Sequence, residues 1–202
     1  GQDGRGQATI GDMNLIEDIK DGRARVEWAD VLSQREDGTA LRITVMRDAL
    51  KVDGVRVMAD AIELQTIADL LGCSLLTPKV VDLIYQQAAV RFDPVVRADG
   101  DIVANSTPAR VSALIDDKIA EQGGDPGGLI DSIGKYWVLH NHLMQVTMLL
   151  YGKKTACNYG WLSTTGRYTA LTSGLKCWQS PGFKHNGLHK DPSQVVRLMK
   201  KR

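Results

Sequence analysis

The chain has 202 residues, 43% hydrophobic and 24% charged, the proportions of a globular domain with room for one sizeable core. Its 25 basic and 24 acidic side chains nearly cancel, which excludes a global field steering it to nucleic acid or to an anionic membrane surface. No run approaches the ~18 apolar residues of a membrane-spanning helix, because the longest, Leu143 to Tyr151, is broken by Gln145 and Thr147.

The three cysteines, at 73, 157 and 177, form no disulfide framework: one bridge plus one free thiol, or three buried thiols, fit the count equally. The chain opens with Gly1 rather than Met, so a missing leader motif says little about compartment. Residues 1–12 are rich in Gly and Asp without an apolar period and are expected to be a flexible arm. A single α+β domain is expected over 13–202, with room for a small N-terminal lobe over 24–58.

The stretch 24–58 is strand-like. Leu41-Arg42-Ile43-Thr44-Val45 alternates with period two, and Leu50 to Val57 places Asp53-Gly54 between two alternating arms, the pattern of a type I′ hairpin. Helices follow. Leu64, Ile67, Ala68 and Leu71 keep an i, i+3, i+4, i+7 stripe, and Gly72 supplies a left-handed stop. Thr77-Pro78 offers an N-cap hydroxyl and a proline at the first helical position, ahead of Val80, Val81, Ile84, Tyr85 and Ala88. Thr107-Pro108 repeats the device for a third helix carrying Val111, Leu114, Ile115 and Ile119, which ends at Gly123-Gly124. Beyond that break, Tyr136 to Leu139 fits a buried strand or the start of a helix, and Leu143 to Leu150 fits a helix better. Gly160, Gly166, Gly174, Gly182 and Gly187 then punctuate the chain at the intervals of short strands joined by tight turns, and Gln194 to Met199 reads as a closing strand. The order predicts an N-terminal β-hairpin region, a helical middle and a C-terminal antiparallel sheet that carries the site.

Residues able to do chemistry crowd into that last quarter: Cys157-Asn158-Tyr159-Gly160-Trp161, Cys177-Trp178-Gln179, and His185 through Asp191. Three chemistries fit them. His185, His189 and Asp191 can supply three ligands to a divalent metal such as zinc, with an open position for water. Cys157 can act as nucleophile with a histidine base oriented by Asp191, although nothing places it at a helix N-terminus, and Cys177 competes for the role. Ser193 lacks the Gly-x-Ser-x-Gly elbow of a nucleophile. In the third, His185 or His189 is a general base paired with Asp191, while Asn158, Gln179, Ser193 and Gln194 orient substrate, Tyr159, Trp161 and Trp178 wall it, and Lys154 lies at the rim. His140-Asn141-His142 does not make a nuclease motif, since an i, i+2 pair cannot share a helical face and no second half with ligand spacing accompanies it. His140 is the better of the two for completing the C-terminal site. A reversal near Gly174 would bring the Asn158–Trp161 end beside the Gln179–His189 end.

Two parts of the chain together resemble a known group. Ala61 to Gln65 and Leu70 to Tyr85, followed by Asn158-Tyr159-Gly160-Trp161 and His185 to Gln194, are similar to an uncharacterised group of bacterial and phage-encoded proteins. In that group a helix, Leu-Pro-Thr, helix unit precedes a C-terminal Tyr-Gly-Trp segment and a His/Asp/Ser cluster. The similarity spans roughly 40–199, with Leu162 where the pattern often has His and Pro192 where it has Tyr. The resemblance implies a site in the last quarter and a phage-associated or secreted setting, and no established activity. The expected function is a hydrolase acting on a polar polymer, bacterial cell-wall glycopeptide first. The alternative is a non-catalytic module of a phage or secreted assembly that holds a small polar ligand or partner. Oligomeric state is not legible in the residues.

Overall fold

In the computed structural model, which describes residues 14–95, 106–140, 156–172, 174–183, 185 and 187–201, the chain is α+β, with four helices and mostly antiparallel strands among those residues. A short helix α1 (Leu15–Lys20), capped by Asn14, leads into β1 (Ala24–Arg25), which pairs with β4 (Lys51–Val52). The turn from β4 to β5 (Val55–Arg56) is made by Asp53 and Gly54 at φ +49° and +82°. Both values are left-handed, as a type I′ turn requires, and glycine adopts its share without a Cβ penalty. The expected hairpin is therefore present.

A longer hairpin joins β2 (Trp28–Gln34) to β3 (Ala40–Met46) in unbroken register from Trp28↔Met46 to Gln34↔Ala40. The other edge of β3 receives β13 (Leu198–Lys200), which pairs in turn with β6 (Cys73–Leu75), giving the order β2-β3-β13-β6. A closing strand thus exists, but it covers only Leu198–Lys200, at the end of the expected region, and lies inside the N-terminal sheet, not in the C-terminal one. A strand's partner depends on contacts some 150 residues away in sequence, as from Arg197 to Met46, and the local pattern of residues 194–199 carries none of that information. Of the strands within 24–58, β2 and β3 accordingly share a sheet with the chain's end, while β1, β4 and β5 form a separate three-stranded sheet.

The helices start where their caps predict. Asp60 and Glu63 form a reciprocal capping box on α2 (Ala61–Leu70), satisfying two otherwise orphaned N–H groups, and Leu64, Ile67 and Ala68 face inward. Thr77 caps α3 (Pro78–Gln87) and Thr107 caps α4 (Pro108–Glu121), each followed by the expected proline. A two-stranded parallel ladder joins β7 (Val90–Arg91) to β8 (Ile130–Asp131). The ambiguous stretch after it is strand β9 (Lys135–Val138), buried at all four positions. It pairs with β10 (Cys157–Ser163), which pairs with β12 (Lys176–Gly182), and β11 (Tyr168–Thr169) closes the C-terminal sheet on the far side of β12. Gly174, at φ +84°, lies in the reversal between β11 and β12. The expected arm over 1–12 and helix over 143–150 lie outside the described residues.

Strand β9 separates two apolar cores. Tyr136 and Val138 pack with α3, α4, Tyr159, Leu162 and Cys177, while Trp137 points the other way, among Met46, Leu50, Leu64 and Val196. A strand buried on both faces reads as a continuous apolar run, which is why alternation could not type it. All three cysteines are buried free thiols. Among the described residues no helix is long and apolar enough to cross a membrane.

Arg197 sits between these cores without solvent contact. Its Nε donates to Met46 O (2.9 Å), Nη2 to Arg47 O (2.6 Å), and Nη1 to Asp131 Oδ1 (3.0 Å) and Tyr136 Oη (3.1 Å), while Tyr136 donates to the same Asp131 oxygen at 2.8 Å. Burial works against its charge, but Tyr136 and Asp131 outweigh it and leave the guanidinium pKa raised. Replacing Arg197 with Met would strand a buried carboxylate. It is expected to cost ~3–5 kcal/mol in urea unfolding, and the double substitution with Asp131→Leu is expected to recover part of that loss.

Candidate functional site

The segment from Phe183 to Gln194 forms no regular element in its described residues, and side chains and single backbone bonds hold it in place. Gly187 O accepts from Ala61 N (3.0 Å), and Lys190 Nζ lies 2.8 Å from Glu63, so the segment rests on the first turn of α2. Asp191 then shapes the next turn: its carboxylate accepts from Ser193 N (2.8 Å) and from the Ser193 hydroxyl, and its carbonyl from Gln194 N (3.0 Å). Gly134 is obligatory opposite this turn, because a Cβ there would stand 2.6 Å from Ser193 O. That close approach lets Lys135 N donate to Ser193 O at 2.9 Å.

Lys135, the first residue of β9, is the centre of the cluster. Its Nζ lies 2.8 Å from Asp191 Oδ2, and His189 Nε2 lies 3.1 Å from the same oxygen. His185 stacks on His189, the ring centroids 3.8 Å apart and the planes 9° from parallel. The side chains are 10% exposed for Lys135, 17% for Asp191 and 35% for His189, so the cluster opens to water at its histidine end. Burial would raise the Asp191 carboxyl, but the Lys135 ammonium and the Ser193 hydrogen bonds overcome this and hold it below the usual value. Burial, followed by the neighbouring His189 and Lys135, pushes His185 down, which keeps its ring neutral at pH 7.

Two buried amides lie on the Lys135 side of β9. Asn158 faces Trp137 across the β9–β10 ladder, and Gln194 bridges to Lys135 from the other edge. Each is 1% exposed, and the oxygen and nitrogen of both side chains lack hydrogen-bond partners among the described residues. Gln179 joins them, since a methyl group built on Gly182 would stand 3.3 Å from Gln179 Nε2 and 3.4 Å from Asn158 Oδ1. Buried polar atoms are rarely left unpaired, so the Asn158 and Gln194 amides are natural partners for water or for a polar ligand, whereas Gln179 Nε2 already donates to Ser180 O at 2.8 Å.

Of the residues singled out from the sequence, the structure brings together His185, His189, Asp191, Ser193 and Gln194, with Asn158 and Gln179 on the β10–β12 flank. Others fall away for physical reasons. Cys157 is buried in the core on the α3 side, and burial pushes its thiol up to about 11, the reverse of nucleophile activation. Cys177 shares both the core and the direction of shift. Tyr159 is fully buried and donates to Asp82 at 2.6 Å, which makes it a strut. Trp161 packs half-buried against the same core at φ +51°, and Arg167 lies over the Trp178 ring at 5.3 Å. Ser193 spends its hydroxyl on Asp191. Parallel imidazoles 3.8 Å apart aim their lone pairs along separate planes, so His185 and His189 cannot both ligate one ion in this arrangement. Asn141, His142 and Lys154 lie outside the described residues.

Lys135 was not legible as a site residue. Beside Tyr136-Trp137-Val138 it looks like a solvated charge flanking an apolar run. The available signal was that a lysine inside a fully buried strand needs an anionic partner. No family model, curated protein or solved structure matches the chain, and the site rests on its own geometry.

The pKa shifts fix a pH dependence. His185 binds its proton more weakly in the folded chain than in the unfolded one, so stability is full above the unfolded value near ~6.5 and falls as pH drops below it. Asp191, also depressed, adds a loss as pH falls below about 4. The urea midpoint is expected to decline from pH 7 to pH 5, and His185→Asn is expected to flatten that decline.

Proposed function

We propose that this chain is a hydrolase acting on a polar polymer, with bacterial cell-wall glycopeptide the first substrate class to test and a secreted or phage-associated setting. The reading is carried by one observation: a partly exposed imidazole hydrogen-bonded to a carboxylate, His189 to Asp191 at 3.1 Å, beside buried amides with unmade hydrogen bonds. Asp191 takes the Nε2 side of His189, which leaves Nδ1 as the nitrogen that can accept a proton from an attacking water. His185, held neutral, is a second acceptor in contact with the first. Primary amides donate and accept at once, so Asn158, Gln179 and Gln194 complement the acetamido and peptide groups of a glycopeptide.

A second reading has its own support. Asp191 Oδ2 is shared between Lys135 and His189, and Oδ1 is taken by Ser193, so the carboxylate is already saturated with donors. A saturated carboxylate is also how a loop is clamped, and in that reading the chain holds a polar ligand or partner without turnover, as a module of a phage or secreted assembly. A zymogram on purified cell wall separates the two. The native protein is expected to clear the gel and His189→Ala to lose at least ~100-fold, the usual scale of a lost general base. Equal clearing by both would remove His189 from the chemistry, and sedimentation with the wall without clearing would favour the binding module.

A further inference from the structure

Helix α3 and the β2-β3-β13-β6 sheet leave a groove between them. The C-terminal end of the helix is pinned to the sheet edge, where Gln87 accepts from Leu32 N (2.9 Å) and donates to Leu32 O (2.8 Å), replacing the bonds a further strand would make. Toward the helix N-terminus the two surfaces enclose a groove of about 700 Å³, within the range of ~300–1,000 Å³ typical of small-molecule sites. Its apolar lining is aliphatic or thioether: Leu41, Ile43, Val80, Leu83 and Met199. Its charged lining is entirely cationic: Arg42, Lys79, Lys200 and Lys201. Neither an acidic nor an aromatic side chain lines it.

A chain with a formal net charge of +1 has no compositional reason to place four cations on one groove. Two of them are partly offset at exposed positions, Arg42 by Asp30 at 3.0 Å and Lys201 by Asp69 at 3.4 Å. Lys79 and Lys200 make no ion pair among the described residues, and Lys200 stands 4.9 Å from the Trp28 ring centroid. Lys79 also occupies the first turn of α3, where the helix dipole is positive and no acid is present. An aliphatic floor below a cationic rim fits a ligand with a hydrocarbon body and an anionic end. Without an aromatic face, the groove offers a nucleotide base nothing to stack on.

We propose that this groove binds a straight-chain aliphatic carboxylate, its tail along Ile43, Leu83 and Met199 and its head group at the Lys79 and Lys200 rim. The site is separate from the His189 cluster and does not depend on the hydrolase reading. The test is calorimetric titration of the native chain with dodecanoate below its micelle concentration, in parallel with dodecanol and with acetate. Saturable binding of dodecanoate at one site is expected, with neither dodecanol nor acetate matching it. Lys79→Gln combined with Lys200→Gln, both at exposed positions that leave the fold intact, is expected to weaken it at least tenfold. The Met199 methyl resonance is expected to move during the titration, which locates the tail without altering the floor. Absent binding, equal affinity for dodecanol, an unchanged affinity in the double variant or a stationary Met199 signal would each overturn the proposal. Tighter binding of an acidic, leucine-bearing peptide than of dodecanoate would overturn it in favour of a protein partner.

Discussion

A guanidinium removed from water must replace its hydration with hydrogen bonds of fixed direction, and the placement of Arg197 decides much of this fold. Its partners are the Met46 and Arg47 carbonyls at the end of β3, Asp131 in β8 of the parallel ladder, and Tyr136 in β9. Those bonds hold the start of β13 against the end of β3, and β6 pairs with its other edge. That in turn carries residues 193–195 past β9, where Lys135 N meets Ser193 O. The Asp191 turn and its contact with the Lys135 ammonium follow from that register. The candidate site is thus a consequence of where the last strand is anchored, and a purely apolar residue at 197 would bury as well without imposing the same register.

The same economy of buried charge recurs at two other junctions. Arg56 binds Asp48 through Nε and Nη2, at 2.8 and 2.7 Å, and reaches Ser112 and Asp116 of α4, which ties that helix to β5. Asp82 of α3 accepts from Tyr159 in β10 and from Thr172 N (2.8 Å), which locks the helix to the loop between β11 and β12. Burial and the adjacent Asp82 push the Tyr159 phenol far above its ordinary pKa, so it remains a donor throughout the physiological range. Polar anchors of this kind contribute uniqueness of packing more than net stability, because each must offset its own desolvation.

How much of this the sequence announced depended on range. Asp53-Gly54 and the two Thr-Pro caps act within four residues, and all form where their chemistry predicts. The reversal at Gly174 was legible for the same reason, and with it the approach of β10 to β12. Burial and long-range pairing were not. Cys157 and Tyr159 have the side chains of a site, but their alternation along β10 turns them into the core, while Asn158 between them lies opposite Trp137 on the other face. The histidine cluster was legible as composition, but the stacking of its rings was not, and neither was the lysine that binds its carboxylate.

The charges around Asp191 constrain what the cluster can hold. Lys135 and two imidazoles surround one carboxylate, so with both rings neutral the single ammonium and the single carboxylate balance. A proton on His185 would stand against the His189 ring, 3.8 Å away between centroids, and near the Lys135 ammonium. The depressed affinity of His185 is the expression of that crowding, with burial the larger cause. A neutral His185 ring beside a carboxylate already filled with donors leaves the cluster able to accept a hydrogen bond from a polar donor. The unfilled amides of Asn158 and Gln194 add donors and acceptors without adding charge. A neutral polar ligand therefore fits the site with less electrostatic cost than a cation would, and this constraint holds whether the bound group is turned over or only held.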